Sequence, residues 1–74
     1  MQTEKIKITT EYIKLDQLLK FSGVAESGAD AKNMITEEIV RVNGEVCTMR
    51  GKKIRIGDKV LVEFEDEQLT IEVE

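Results

Sequence analysis

With eleven Lys and Arg against fifteen Asp and Glu, a chain of 74 residues carries a formal net charge of −4. That argues against a general nucleic-acid binder, which is usually basic. One domain at most fits this length, with a modest core and little room to enclose a deep pocket as well, which disfavours a self-contained enzyme.

The apolar fraction of 41% reads as globular rather than disordered. Histidine is absent, which removes the commonest general base and metal ligand. Cys47 is the single cysteine, so no internal disulfide forms and a reduced, cytoplasmic setting fits. The N-terminus lacks the apolar run of a signal peptide, and no segment approaches membrane-spanning length, so no membrane partner is expected.

In chain order, Lys5 to Thr9 alternates, with Ile6 and Ile8 on one face, and predicts a short N-terminal strand. Thr9, Thr10 and Glu11 form a polar connector, and Tyr12 and Ile13 are expected to pack where the chain turns. Lys14 to Ser22 reads as a helix, because Leu15, Leu18 and Leu19 fall at i, i+3 and i+4. Asp16 suits its first turn and Lys20 its last, and Gly23 stops it. Ser27 is the predicted N-cap of a second helix, with Asp30 three residues on. Ala31, Met34 and Ile35 make its apolar stripe, and it ends near Glu37 or Glu38. Two helices joined by so short a loop predict a helical hairpin.

Between Ile39 and Lys59 the pattern changes to alternation. Asn43-Gly44 is a strong hairpin signal, because both residues tolerate the positive φ of a type I′ turn. Val40 and Val42 point one way and Arg41 the other. Ile54 and Ile56 are likewise expected on one face, with Lys53 and Arg55 opposite. The non-core side thus gathers Arg41, Arg50, Lys52, Lys53 and Arg55, an anion-binding surface first of all. After Gly57-Asp58, Val60, Val62 and Phe64 alternate with Leu61, Glu63 and Glu65. Asp66-Glu67 turns, and Leu69, Ile71 and Val73 alternate with acids on the wet face of a second hairpin. Tyr12, Phe21 and Phe64, the only aromatic residues, are expected in the core. The fold class is α+β: an N-terminal strand, a two-helix hairpin, then a small, mostly antiparallel sheet.

Charge is distributed unevenly. Residues 60–74 hold six acids and no Lys or Arg, leaving eleven basic residues against nine acidic over residues 1–59. No metal-ligand spacing or nucleotide-binding loop is present, so no metal, cofactor or catalytic residue is assigned. Cys47 reads as a small half-buried strand residue, since no activating group accompanies it.

The pieces KLDQLLKFSGVAESGADAKNMI, VRVNGEV and GKKIRIGDKVLV, in this order and spacing, resemble the RNA-binding domain named after ribosomal protein S-four, also called the alpha-L motif. The shared pattern is a basic-Leu-Asp opening, a helix ending in Gly and a Ser-initiated second helix. A Val-x-Val-Asn-Gly hairpin and a Gly-Asp turn complete it. The resemblance spans about two thirds of the chain, with the motif core at about 14–62 of a single domain over 1–74. It is nearest to the small stand-alone bacterial members. It implies an RNA-binding face on the helical hairpin and the adjacent β-hairpin, with roles for Lys14, Lys32, Asn33, Arg41, Arg50, Lys52 and Lys53. Arg55 joins them by alternation. Asn43 and Gly44 serve the turn.

Three features depart from the pattern. Gly28 stands where many relatives have arginine after the serine, Glu37 and Glu38 stand where many have a helix-closing glycine, and the whole chain is acidic. Each lowers the RNA affinity the resemblance implies. The leading expectation is non-catalytic binding of structured RNA, ribosomal RNA or a ribosome-assembly intermediate. The alternative is a protein-interaction adaptor whose acidic C-terminal hairpin docks a basic partner such as a ribosomal protein.

Overall fold

The computed structural model describes residues 2–74. Its elements, in order, are β1 (Gln2–Ile6), β2 (Ile13–Lys14), α1 (Leu15–Phe21), α2 (Gly28–Thr36), β3 (Val40–Val42), β4 (Glu45–Val46), β5 (Lys53–Ile54), β6 (Lys59–Glu63) and β7 (Gln68–Val73). Five strands form one sheet in the order β1-β7-β6-β3-β4, and β2 and β5 form a separate two-stranded sheet. Neighbours in the large sheet are antiparallel except β1 and β7, which run parallel with Gln2 opposite Leu69 and Ile6 opposite Val73.

The helices close as their end residues dictate. Leu15, Leu18 and Leu19 are fully buried on α1, and Gly23 beyond it takes a φ of 83°. Ser27 Oγ accepts the N–H of Asp30 at 3.2 Å, capping α2. α2 ends on Glu37, and Glu38 follows with a φ of 63° while its N–H donates to the Ile35 carbonyl at 3.1 Å. Left-handed backbone after a helix favours glycine, which explains the glycine expected there and marks Glu38 as a strained substitute.

The core lies between the helical pair and the inner face of the large sheet. Leu15, Leu18, Leu19, Ala31 and Ile35 from the helices join Val40, Val42, Val60, Val62, Ile71 and Val73 from the sheet. Ile54 of β5 is fully buried among them. Among the described residues, no polar or charged residue is buried. Stability therefore rests on apolar burial, at roughly 25 cal/mol per Å².

Four expectations need correction. The N-terminal strand lies about three residues earlier than Lys5–Thr9, because its register is set by pairing with β7 and not by its own alternation. Ile8 still half-buries against the core and donates its N–H to the Glu74 carbonyl at 2.9 Å. Ile56 does not share the buried face of Ile54: it is 62% exposed. The strand stops at Ile54, and Arg55 enters a turn in which its N–H donates to Asp58 Oδ2 at 2.8 Å and its carbonyl accepts from the Asp58 N–H at 3.0 Å. Lys53 and Ile54 pair with β2 in the small sheet, so Lys53 does not share one sheet face with Arg41 as expected. Finally, Phe21 is 66% and Phe64 41% exposed. Phe21 lies off the α1 stripe, and Phe64 follows the end of β6, where its N–H donates to the Glu67 carbonyl. Tyr12 is only half-buried.

Candidate nucleic-acid interface

The basic loop is attached to the start of α1 by its own backbone. The first two helical N–H groups, of Leu15 and Asp16, donate to the carbonyls of Lys52 at 2.9 Å and Arg50 at 3.1 Å. The next, of Gln17, donates to Asp16 Oδ1 at 2.8 Å. Helix-end donors that ordinarily need a cap or water are thus met by loop carbonyls, and the side chains of Arg50 and Lys52 stay exposed while their backbone is held.

Pairing of β2 with β5 adds two more cations. Lys14 lies directly opposite Lys53 in the antiparallel register, so both side chains leave the same face. Lys53 Nζ sits over the Tyr12 ring, 5.0 Å from its centre, a cation–π contact that orients the ammonium without neutralising it. Among the described residues, none of Lys14, Arg50, Lys52, Lys53 and Arg55 is in an ion pair.

The neighbouring turns are tied together by one side chain. Asn43 has a φ of 52° and Gly44 of 90°, as a two-residue hairpin requires. Asn43 Nδ2 donates to Asp58 Oδ1 at 3.2 Å, and Asn43 Oδ1 accepts the Lys59 N–H at 3.0 Å. Asn43 therefore does more than make its own turn: it fixes the hairpin to the Gly57-Asp58 turn that carries Arg55. An open groove of about 710 Å³ lies between these segments, lined in part by Lys52, Lys53 and Arg55.

The other candidates lie apart. Arg41 is on the outer face of the large sheet, its Nε 3.1 Å from Glu63 Oε1. The Nε–H is not aimed to make a hydrogen bond, so the contact is Coulombic. Arg41 does not line the groove. Lys32 and Asn33 are exposed on α2, with no side-chain bond to the basic loop. Sequence reasoning missed the β2–β5 pair that opposes Lys14 to Lys53, and two-residue strands leave almost no periodic signal to find. It also missed the cross-turn role of Asn43, which only tertiary structure reveals.

Two short helices packed on a mixed sheet, with a basic loop fastened to the first helix, define an α+β domain of the alpha-L type. The chain belongs to the S4 domain family, whose model matches residues 6–72. It is 45% identical over 58 residues to a Bacillus subtilis (strain 168) protein named "Probable ribosome maturation protein RlbA", covering 78% of this chain and 82% of that one. It is 45% identical over 49 residues to an Escherichia coli (strain K12) protein named "Putative RNA-binding protein YbcJ", covering 66% of this chain and 70% of that one. Among solved structures, heat shock protein 15 of Vibrio cholerae, a trimer, superposes with a TM-score of 0.71 at 23% identity. That match covers 81% of this chain and 60% of the other, and it establishes likeness of fold.

Among the described residues, no helix is long and apolar enough to cross a membrane, and no group of three or more Cys, Asp or Glu side chains is arranged to hold a metal ion.

Proposed function

We propose that this chain is a non-catalytic, cytoplasmic RNA-binding protein that recognises structured RNA, either ribosomal RNA or a ribosome-assembly intermediate. Lys14, Arg50, Lys52, Lys53 and Arg55 form the contact surface. The carrying observation is the opposition of Lys14 to Lys53 beside a loop whose backbone is bonded to α1. Like charges directly opposite one another destabilise a sheet pair. A phosphate between them would turn that repulsion into two attractions.

Membership of the S4 domain family and the names of the two relatives support the same reading. Contacts of this kind position an RNA without reading its sequence, and a double-stranded or folded RNA is recognised mostly by its shape and backbone. The net negative charge is compatible with it. The acidic turn after Glu63 lies at the far end of β6 from Arg55, a strand length of about 13 Å. That exceeds the Debye length of about 8 Å at physiological ionic strength, so the repulsion from the acids of that turn is largely screened at the basic loop.

The adaptor reading is weaker. Glu63 and Glu72 are already paired, with Arg41 at 3.1 Å and Lys59 at 3.7 Å, leaving fewer acids to meet a basic ribosomal protein. Co-sedimentation with ribosomal particles separates the two readings. Association at low salt that is lost on nuclease digestion is expected. Association that survives complete digestion would favour the protein partner.

A further inference from the structure

Resting on the RNA-binding reading, we propose that the groove beside the basic loop seats one unpaired nucleotide of the bound RNA. Its base would lie on Met49 and Ile56 and its phosphate on Lys52 and Lys53. Met49 is 65%, Ile56 62% and Val46 42% exposed, and all three line this groove. Apolar side chains scattered singly over a surface need no explanation, but a cluster of them marks a binding site. Here the cluster shares its walls with three cations, Lys52, Lys53 and Arg55.

The occupant follows from that combination. It must present a flat or apolar part and an anionic part close together, as a nucleotide does. Arg55 adds a planar guanidinium, a surface on which unstacked bases commonly lie. Two carboxylates, Glu45 and Asp58, also line the groove. Both oxygens of Asp58 are engaged, by Asn43 Nδ2 and the Arg55 N–H. The volume of about 710 Å³ falls within the range of about 300–1,000 Å³ usual for small-ligand sites. The walls are held in place: Lys52 donates its N–H to the Met49 carbonyl at 3.1 Å, and Asn43 joins the two turns. A fully paired stem offers no base to such a groove, whereas a bulge does.

The test is fluorescence anisotropy with three RNA hairpins of one stem sequence: fully paired, with one bulged nucleotide, and with the same bulge made abasic. The bulged hairpin is expected to bind at least about fivefold more tightly than the paired one, the low end of what stacking one base yields. The abasic bulge is expected to lose that preference. A Met49→Ala, Ile56→Ala double variant should also lose it while binding the paired stem unchanged. Both positions are exposed, and a thermal melt checks that the variant folds. Equal binding of paired and bulged hairpins, or a preference kept by the abasic bulge or the double variant, would overturn the nucleotide seat and leave RNA binding standing. Failure to bind any of the three at low salt would overturn both.

Discussion

Replacing Glu38 with glycine should stabilise the protein. Glu38 has a φ of 63° just beyond the C-cap of α2, and it is exposed. Left-handed backbone costs a residue with a Cβ about 1–2 kcal/mol. Glycine avoids that cost but makes the unfolded chain freer, which returns about 0.4–1 kcal/mol. The net gain is about 0.5–1 kcal/mol, or a rise in Tm of roughly 2–8 °C for a domain of this size. Removing an acid from the negative end of a helix acts in the same direction. Glu38→Gln isolates that charge effect. Glu37→Gly is the backbone control, because Glu37 has a φ of −76°, and glycine there should cost about 0.5–1 kcal/mol. Thermal and urea denaturation followed by circular dichroism measure all three. The reasoning fails if Glu38→Gly is no more stable than the parent, or if Glu38→Gln reproduces the whole gain.

Asn43→Gly keeps the turn but loses both side-chain bonds to the Gly57-Asp58 turn and should cost about 1 kcal/mol in urea denaturation. Asn43→Ala should cost about 1 kcal/mol more, because alanine resists the positive φ. Leu18→Ala, at a fully buried site between α1 and the core, should cost about 2–5 kcal/mol and leave a domain this small largely unfolded on mild heating. Arg41→Ala removes an ion pair whose partners are 39% and 37% exposed and should change stability by less than about 1 kcal/mol. In filter binding it should leave RNA affinity unchanged, since Arg41 is paired with Glu63 on the outer face of the large sheet, apart from the basic loop.

Much of this fold was legible wherever one local signal dominated. The i, i+3, i+4 leucines of α1, the Ser27 cap and the Asn43-Gly44 turn each specify their structure from neighbours in sequence. Features set by distant partners were not legible. β1 takes its register from β7 at the other end of the chain, and β2 and β5 are two residues each and exist only as a pair. Ile56 continued an alternation that the Arg55–Asp58 turn interrupts. For the site, the basic character of residues 50–55 was plain in the sequence. Its attachment to α1 through carbonyls was not, because any residue supplies a carbonyl. Arg41 alternated correctly away from the core, but its pairing with Glu63 depends on the β3–β6 register.

The most direct test of the central claim is the salt dependence of binding, by fluorescence anisotropy, to a structured ribosomal RNA fragment and to a duplex DNA of equal length. The parent is compared with an Arg50→Ala, Lys52→Ala, Lys53→Ala variant. Tighter binding to RNA than to DNA is expected, with the slope of log K against log salt shallower in the variant by about 2–3. Equal slopes for parent and variant, or no binding at low salt, would contradict the assignment of the basic loop as a phosphate-contact surface.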